Sequence, residues 1–163
     1  MNVRSITVNA LIAALYIVIT IVTYSFSYEG IQFRIAEALL IFIFFRKQYV
    51  IGVTIGCFIA NFIGPMGWVD AVFGTLATLI SSIALMFSPY LLLALLAPVI
   101  ANGFVVGAEL YFVLNLDFWI NVGLVMIGEF VVLIGVYLIA MALKKRKGLL
   151  KIIGANQHID FKW

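Results

Sequence analysis

Charge is what this sequence has least of. Its 163 residues include 7 acids and 10 bases, so 10% are charged, against about 25% in a soluble domain. The remainder is 66% hydrophobic and 15% aromatic, with a mean hydropathy of +1.23. Such a chain cannot clothe a water-facing surface, so its solvent is the bilayer. That excludes a soluble enzyme, a nucleic-acid-binding domain and a disordered tail. Cysteine and histidine are almost absent as well. Cys57 stands alone, which forbids an intramolecular disulfide, and the single His158 leaves no ordinary His/Cys metal cage. No GxxxxGK[ST] loop is present, so the chain does not hydrolyse ATP in the P-loop manner. With no nucleophile–base pair, metal motif or cofactor motif, the expectation is a protein that binds rather than catalyses. Uphill movement of its ligand would draw on a gradient or a partner.

Long apolar runs are what it has in their place. A span needs about 20 apolar residues, because a helix rises about 1.5 Å per residue through a core roughly 30 Å thick. Ile6 to Ser27 is one run, ending at the polar turn Ser27-Tyr28-Glu29-Gly30. It is too long for a cleavable signal peptide and no small-residue cleavage site follows it. Ile31 to Phe45 is shorter and carries Arg34 and Glu37 in its first half, as expected of a short or tilted span whose outer end sits within protein. Tyr49 to Ile63 begins a third, closed by the turn Gly64-Pro65-Met66-Gly67. Val69 to Phe112 is 44 apolar residues, about 66 Å as one helix, so it folds back, with Ser88-Pro89 as the corner. Phe118 to Leu143 is the last run, stopped by Lys144-Lys145-Arg146-Lys147. The expectation is an all-α integral membrane protein of six transmembrane helices. It has a transmembrane domain over 1–147 and a cytoplasmic tail over 148–163. Placing both termini in the cytoplasm puts Arg4, Arg46, Lys47, the 144–147 cluster, Lys151 and Lys162 inside. Only Arg34 is then left on the outer side.

An ionisable group inside a span is costly, and so is a functional candidate by default. By helix rise Glu37 lies about 9 Å below the outer surface, Glu109 about 8 Å, and Glu129 about 17 Å, near the midplane. With Glu29, Asp70 and Asp117, six of the seven acids fall on the outer side. A cavity so lined attracts a cation or a ligand rich in N–H donors. Spacing supports one cavity: Arg34 and Glu37 are three apart, and Asn102 and Glu109 are seven apart on one helix face. Asp70, Gly74, Thr78 and Ser81 form a polar stripe, and Thr54 with Asn61 another. Trp68, Tyr111 and Trp119 add aromatic faces near the outer boundary. Plainer roles exist for several of these. Arg34 with Glu37 also reads as a snorkelling ion pair, and Asp70 as a helix cap. Trp68 and Trp119 also read as interface aromatics, Asn61 and Asn102 as interhelical glue, and Cys57 as packing. Glu109 and Glu129 resist such readings.

Small residues recur four apart at Ala10/Ala14, Gly52/Gly56 and Gly103/Gly107, which lets helices approach closely. Such faces usually pack within a bundle. The one on the first span could instead meet another subunit.

The stretch Asn9-Ala10-Leu11-Ile12-Ala13-Ala14-Leu15-Tyr16 resembles the opening of the substrate-binding (S) components of energy-coupling factor (ECF) vitamin transporters. Ile31-Gln32-Phe33-Arg34-Ile35-Ala36-Glu37-Ala38-Leu39 is similar to the hallmark of one family among them, the queuosine-precursor transporters called QueT. The likeness continues through Gly56-Cys57, Ala60-Asn61, Gly67, Asp70, Phe73 to Leu79, Pro98, Asn102-Gly103, Gly107, Glu109-Leu110-Tyr111 and Gly128-Glu129. Two departures are Ala36, where the family more often has serine, and a longer tail beyond Lys147. The resemblance implies a six-helix S component docked on a transmembrane coupling subunit with two cytoplasmic ATPases. Ala10 and Ala14 would match the alanine motif that packs on the coupling subunit. The implied ligand is a deazaguanine, the aminomethyl precursor of queuosine or a relative. One carboxylate would accept its adjacent N–H donors and a second acid its ammonium. Asn61 and Asn102 could read its carbonyl and ring nitrogens, and Trp68 or Tyr111 could stack on the base. The rival readings are an S component for another vitamin (riboflavin, thiamine or pyridoxine), a proton-coupled secondary transporter using Glu109 or Glu129, and a structural membrane subunit without a ligand.

Overall fold

Ser88 and Pro89 break the 44-residue apolar run. Ser88 is extended (φ −76°, ψ 132°), its N–H closes on the Ala84 carbonyl, and the chain reverses. The computed structural model describes residues 3–28 and 31–144. In chain order these form α1 (Val3–Val22), α2 (Tyr24–Tyr28), α3 (Ile41–Phe45), α4 (Val50–Phe62), α5 (Trp68–Phe87), α6 (Leu91–Leu114) and α7 (Phe118–Leu143). A 3₁₀ stretch over Ile35–Leu40 leads into α3, and another over Lys47–Tyr49 leads into α4. The turns end where the local chemistry demands. Gly67 begins α5 with φ +58°, and Asn115 ends α6 in the left-handed region. Asp117 caps α7 by accepting from the Ile120 N–H at 2.9 Å.

Four helices, α1, α5, α6 and α7, are long and apolar enough to cross a membrane. The chain is an all-α, multi-pass membrane protein. The stretches expected as the second and third spans are shorter. Ile35–Phe45 is half 3₁₀, and α4 has 13 residues, about 20 Å of rise. The expected tail over 148–163 lies outside the described residues, as does Glu29.

Glycine sets how closely α1 and α4 approach. A Cβ on Gly52 would lie 2.5 Å from the Asn9 carbonyl oxygen, and one on Gly56 2.9 Å from that of Ala13. Gly52 sits in the first turn of α4, where backbone donors lack partners, and its N–H donates to Asn9 Oδ1 at 2.7 Å. The Gly52/Gly56 face therefore packs within the bundle, and Gly103/Gly107 do the same against Met126 and Val122 of α7. Ala10 and Ala14 differ: both lie on the exposed side of α1. An apolar core (Leu40, Ile43, Phe44, Val53, Leu85, Leu91, Leu95, Leu133) fills the half of the bundle towards Arg46 and Lys144. The other half is where the polar side chains go.

Candidate functional site

Each long helix contributes one or two polar groups to that second half. From α5 come Asp70 and Thr78, from α6 Asn102 and Glu109, from α7 Glu129, and from α4 Cys57 and Asn61. Arg34 and Glu37 come from the segment before α3, and Tyr16 from α1. All of these are buried. Residues 32–34 have no regular structure, with the Phe33 N–H donating to the Phe26 carbonyl at 2.7 Å and the Ile35 N–H to the Phe33 carbonyl at 2.9 Å, before the 3₁₀ stretch turns Glu37 inward. The backbone of α7 reaches this segment at Gly128, where a Cβ would collide with the Gln32 carbonyl. That approach carries the next residue, Glu129, into electrostatic reach of Glu37 and Arg34. Glu109 arrives from α6 within reach of Asp70 and Arg34.

A hydrogen-bonded chain fixes one wall. Tyr16 donates its hydroxyl to Glu37 Oε1 at 2.5 Å, and Thr78 Oγ1 donates to the same oxygen at 3.4 Å. The Cys57 Sγ lies 3.0 Å from Thr78 Oγ1 and accepts from Asn61 Nδ2 at 3.1 Å. The Tyr28 hydroxyl closes the wall against the Ala60 carbonyl at 3.0 Å and Asn61 Oδ1 at 3.3 Å. Its ring lies under the Arg34 guanidinium, 6.0 Å from the centroid. Gly74 of α5 makes room for the Asn61 amide, since a Cβ there would strike Asn61 Nδ2.

The opposite wall is unsatisfied. Both oxygens of Glu129, Glu37 Oε2, both polar atoms of Asn102, Gln32 Oε1 and Arg34 Nη1 are buried without a hydrogen-bond partner, and the Glu109 carboxyl meets only that of Asp70. A lone buried carboxylate costs several kcal/mol, so this is too expensive a set for architecture alone. What remains is a converging group of acceptors, with one guanidinium and one amide among them. It suits a small polar ligand that brings N–H donors.

A family model described as QueT transporter matches residues 6–145. The chain belongs to the QueT transporter family. It is also similar to the curated "Queuosine precursor transporter QueT" of Lactococcus lactis subsp. cremoris (strain MG1363), 47% identical over 73 residues. That match covers 44% of this chain and 43% of the relative, so the chain spans less than half the length of the relative it matches. No solved structure matches the chain.

Among the residues expected at the site of this QueT family member, six come together, Arg34, Glu37, Asn61, Asp70, Glu109 and Glu129, and Asn102 is buried two turns before Glu109 on α6. Asp70 has a second duty, accepting the Met66 N–H at 2.9 Å and so holding the turn before α5. The structure does not bring Trp68 and Tyr111 into the cluster. Trp68 is 64% exposed and packs on Phe58 and Phe62. Tyr111 is 48% exposed and packs on Phe112 and Phe118. The reason is helical phase. Each stands two residues from a buried acid, Asp70 or Glu109, and two residues turn a helix by about 200°. Sequence reasoning left Tyr16 and Gln32 out of the site and gave Cys57 to packing. A cavity of about 480 Å³ lies elsewhere, lined by Arg4, Val8, Leu11, Phe42, Arg46 and Tyr49 among others. None of the clustered acids lines it.

Proposed function

We propose that this chain is the substrate-binding membrane subunit of an ECF-type importer, capturing a deazaguanine precursor of queuosine from outside a prokaryotic cell. In this reading the second and third apolar stretches complete six spans, shortened because their ends meet protein, and both termini are cytoplasmic. Residues 1–147 are the binding domain and 148–163 a cytoplasmic tail. Ala10 and Ala14 meet the transmembrane coupling subunit, which two ATPases drive. Arg34, Glu37, Asn61, Asp70, Asn102, Glu109 and Glu129 line the pocket.

One observation carries the ligand class: both oxygens of Glu129 and Glu37 Oε2 are buried with no donor facing them, and Glu109 meets only another acid, Asp70. A deazaguanine supplies adjacent N–H donors along one edge, and its aminomethyl form adds an ammonium. The family membership and the name of the lactococcal relative support the same choice. The test is thermal stabilisation of the purified protein in detergent by aminomethyl-deazaguanine, with guanine and riboflavin as controls. At 100 times its dissociation constant a ligand adds about 2.7 kcal/mol, a clear shift in melting temperature. Selective stabilisation by the aminomethyl compound is expected. A folded protein that responds to riboflavin and to no deazaguanine would overturn the substrate while sparing the scaffold.

A further inference from the structure

The cavity of about 480 Å³ shares no residue with the buried acids and lies at the basic end of the bundle. One wall is α1 and the other is residues 42–49. Along α1 it meets Arg4, Val8, Leu11 and Leu15, spacings of four, three and four that keep one helix face towards it. The wall therefore changes from charged to apolar in one direction. Arg4 to Leu15 is about 16 Å of rise, the depth of one leaflet in a core roughly 30 Å thick. The opposite wall repeats the order, with half-buried Arg46 at the charged end and Phe42 one turn deeper. Arg46 is positioned there by Tyr49. Its Nη1 donates to the Tyr49 hydroxyl at 3.4 Å, and its guanidinium lies 5.7 Å from the centroid of that buried ring. Ser5 Oγ donates to Gln48 Oε1 at 3.3 Å and ties the two walls together beside the arginines. None of the lining residues is an acid, so the charged end is purely basic. A guanidinium pairs with a phosphate through two parallel N–H donors, and basic pockets between helices at a membrane surface take anionic lipid headgroups. The volume falls within the range of small-ligand sites, about 300–1,000 Å³. Ala10 and Ala14, the face given above to the coupling subunit, do not line it.

We propose that this groove seats one anionic phospholipid, its phosphate between Arg4 and Arg46 and an acyl chain along Val8, Leu11, Leu15 and Phe42. The site is separate from the buried acid cluster and stands or falls independently of the deazaguanine reading. A zwitterionic lipid brings the same chain without net charge, so the two arginines set a preference for acidic headgroups. The groove borders the Ala10/Ala14 face, because Leu11 and Leu15 each follow one of those alanines. A lipid seated in it is thus a neighbour of any subunit that docks on α1.

The experiment titrates the full chain in detergent with phosphatidylglycerol, phosphatidylcholine or inorganic phosphate, and counts bound lipid by native mass spectrometry. The ratio of the two lipid affinities is the readout, since a general loss of structure weakens both alike. One phosphatidylglycerol per chain is expected, held at least about tenfold more tightly than phosphatidylcholine. Arg4→Gln combined with Arg46→Gln should weaken phosphatidylglycerol by about ten- to thirtyfold and phosphatidylcholine far less. Arg46→Lys should lose less, because it keeps the charge and gives up only the planar fork. Leu15→Trp should fill the apolar end and weaken both lipids. Lys47→Gln is the control for diffuse attraction: Lys47 does not line the groove, and its Nζ lies 4.7 Å from the centroid of the Phe87 ring. It should leave the ratio unchanged. Equal affinity for the two lipids, a ratio that survives the double arginine variant, or a loss with Lys47→Gln as large as with Arg46→Gln overturns the site. Displacement of the lipid by an equal concentration of inorganic phosphate assigns the arginines to a free anion and overturns the lipid. A double arginine variant that keeps its lipid but no longer co-purifies with a coupling subunit gives the groove to that subunit instead.

Discussion

The smallest side chain in the cluster decides how the largest polar ones sit. Gly74 has the Asn61 amide lying against its Cα, with Arg34 Nη1 3.3 Å from where a Cβ would stand. Gly74→Ala should therefore push Asn61 off Cys57 and crowd Arg34. It should destabilise the protein by about 1–3 kcal/mol, as overpacking does. Gly135, where a Cβ meets nothing within 4 Å, is the control: Gly135→Ala should be neutral or slightly stabilising, since alanine favours a helix. Denaturation in mild detergent, with and without ligand, checks both, and equal losses at the two positions would remove the steric account. Residues like these mark how much of the site is legible in sequence. Glu109 and Glu129 are conspicuous because charge in an apolar run has no cheap explanation. Tyr16, Cys57 and Thr78 are not, because a phenol, thiol or hydroxyl in an apolar helix reads the same whether it packs, snorkels or holds a carboxylate. Trp68 and Tyr111 could have been set aside by phase alone, since Asp70 and Glu109 take the inward face.

At the scale of elements, the site exists because α7 can touch the irregular backbone of residues 32–34. Gly128 rests on the Gln32 carbonyl, and the contact is backbone against backbone, so no rotamer change relieves a clash there. Gly128→Ala should shift α7 away from residues 32–34 and withdraw Glu129 from Glu37. The expected result is a loss of ligand affinity as large as that of Glu129→Gln, with about 1–3 kcal/mol of destabilisation. Titration of the variant by ligand-induced melting shifts tests this, and wild-type affinity would show that Glu129 does not depend on that contact. Helix ends were the legible part of this layer. The expected last run, Phe118 to Leu143, coincides with α7, and Ser88-Pro89 is the break between α5 and α6. The 3₁₀ form of Ile35–Leu40 was not legible, because its residues are ordinary helix formers. What holds them in it is tertiary: Phe33 bonded to Phe26, and Glu37 drawn to Tyr16.

For the whole molecule, α1 is the element that faces both ways. Tyr16 points into the cluster and is 2% exposed, while Ala14, two residues and about 200° earlier, lies on the outer side with Ala10 and the 59%-exposed Leu11. In the proposed importer the same helix thus touches Glu37, a ligand-binding carboxylate, on one face and the coupling subunit on the other. The two roles are separable by mutation, because a large side chain at Ala10 or Ala14 meets no residue of the pocket. Ala10→Leu and Ala14→Leu should leave deazaguanine affinity within about threefold of wild type, a difference under 1 kcal/mol. They should also prevent co-purification with the coupling subunit and ATPases and abolish uptake in cells, since small residues are what let helices pack at close range. Uptake that persists in both variants with the complex intact would place the docking surface on another helix. Uptake that persists without the ATPases, but collapses with the proton gradient, would replace the ECF assembly with a secondary transporter built on the same buried glutamates.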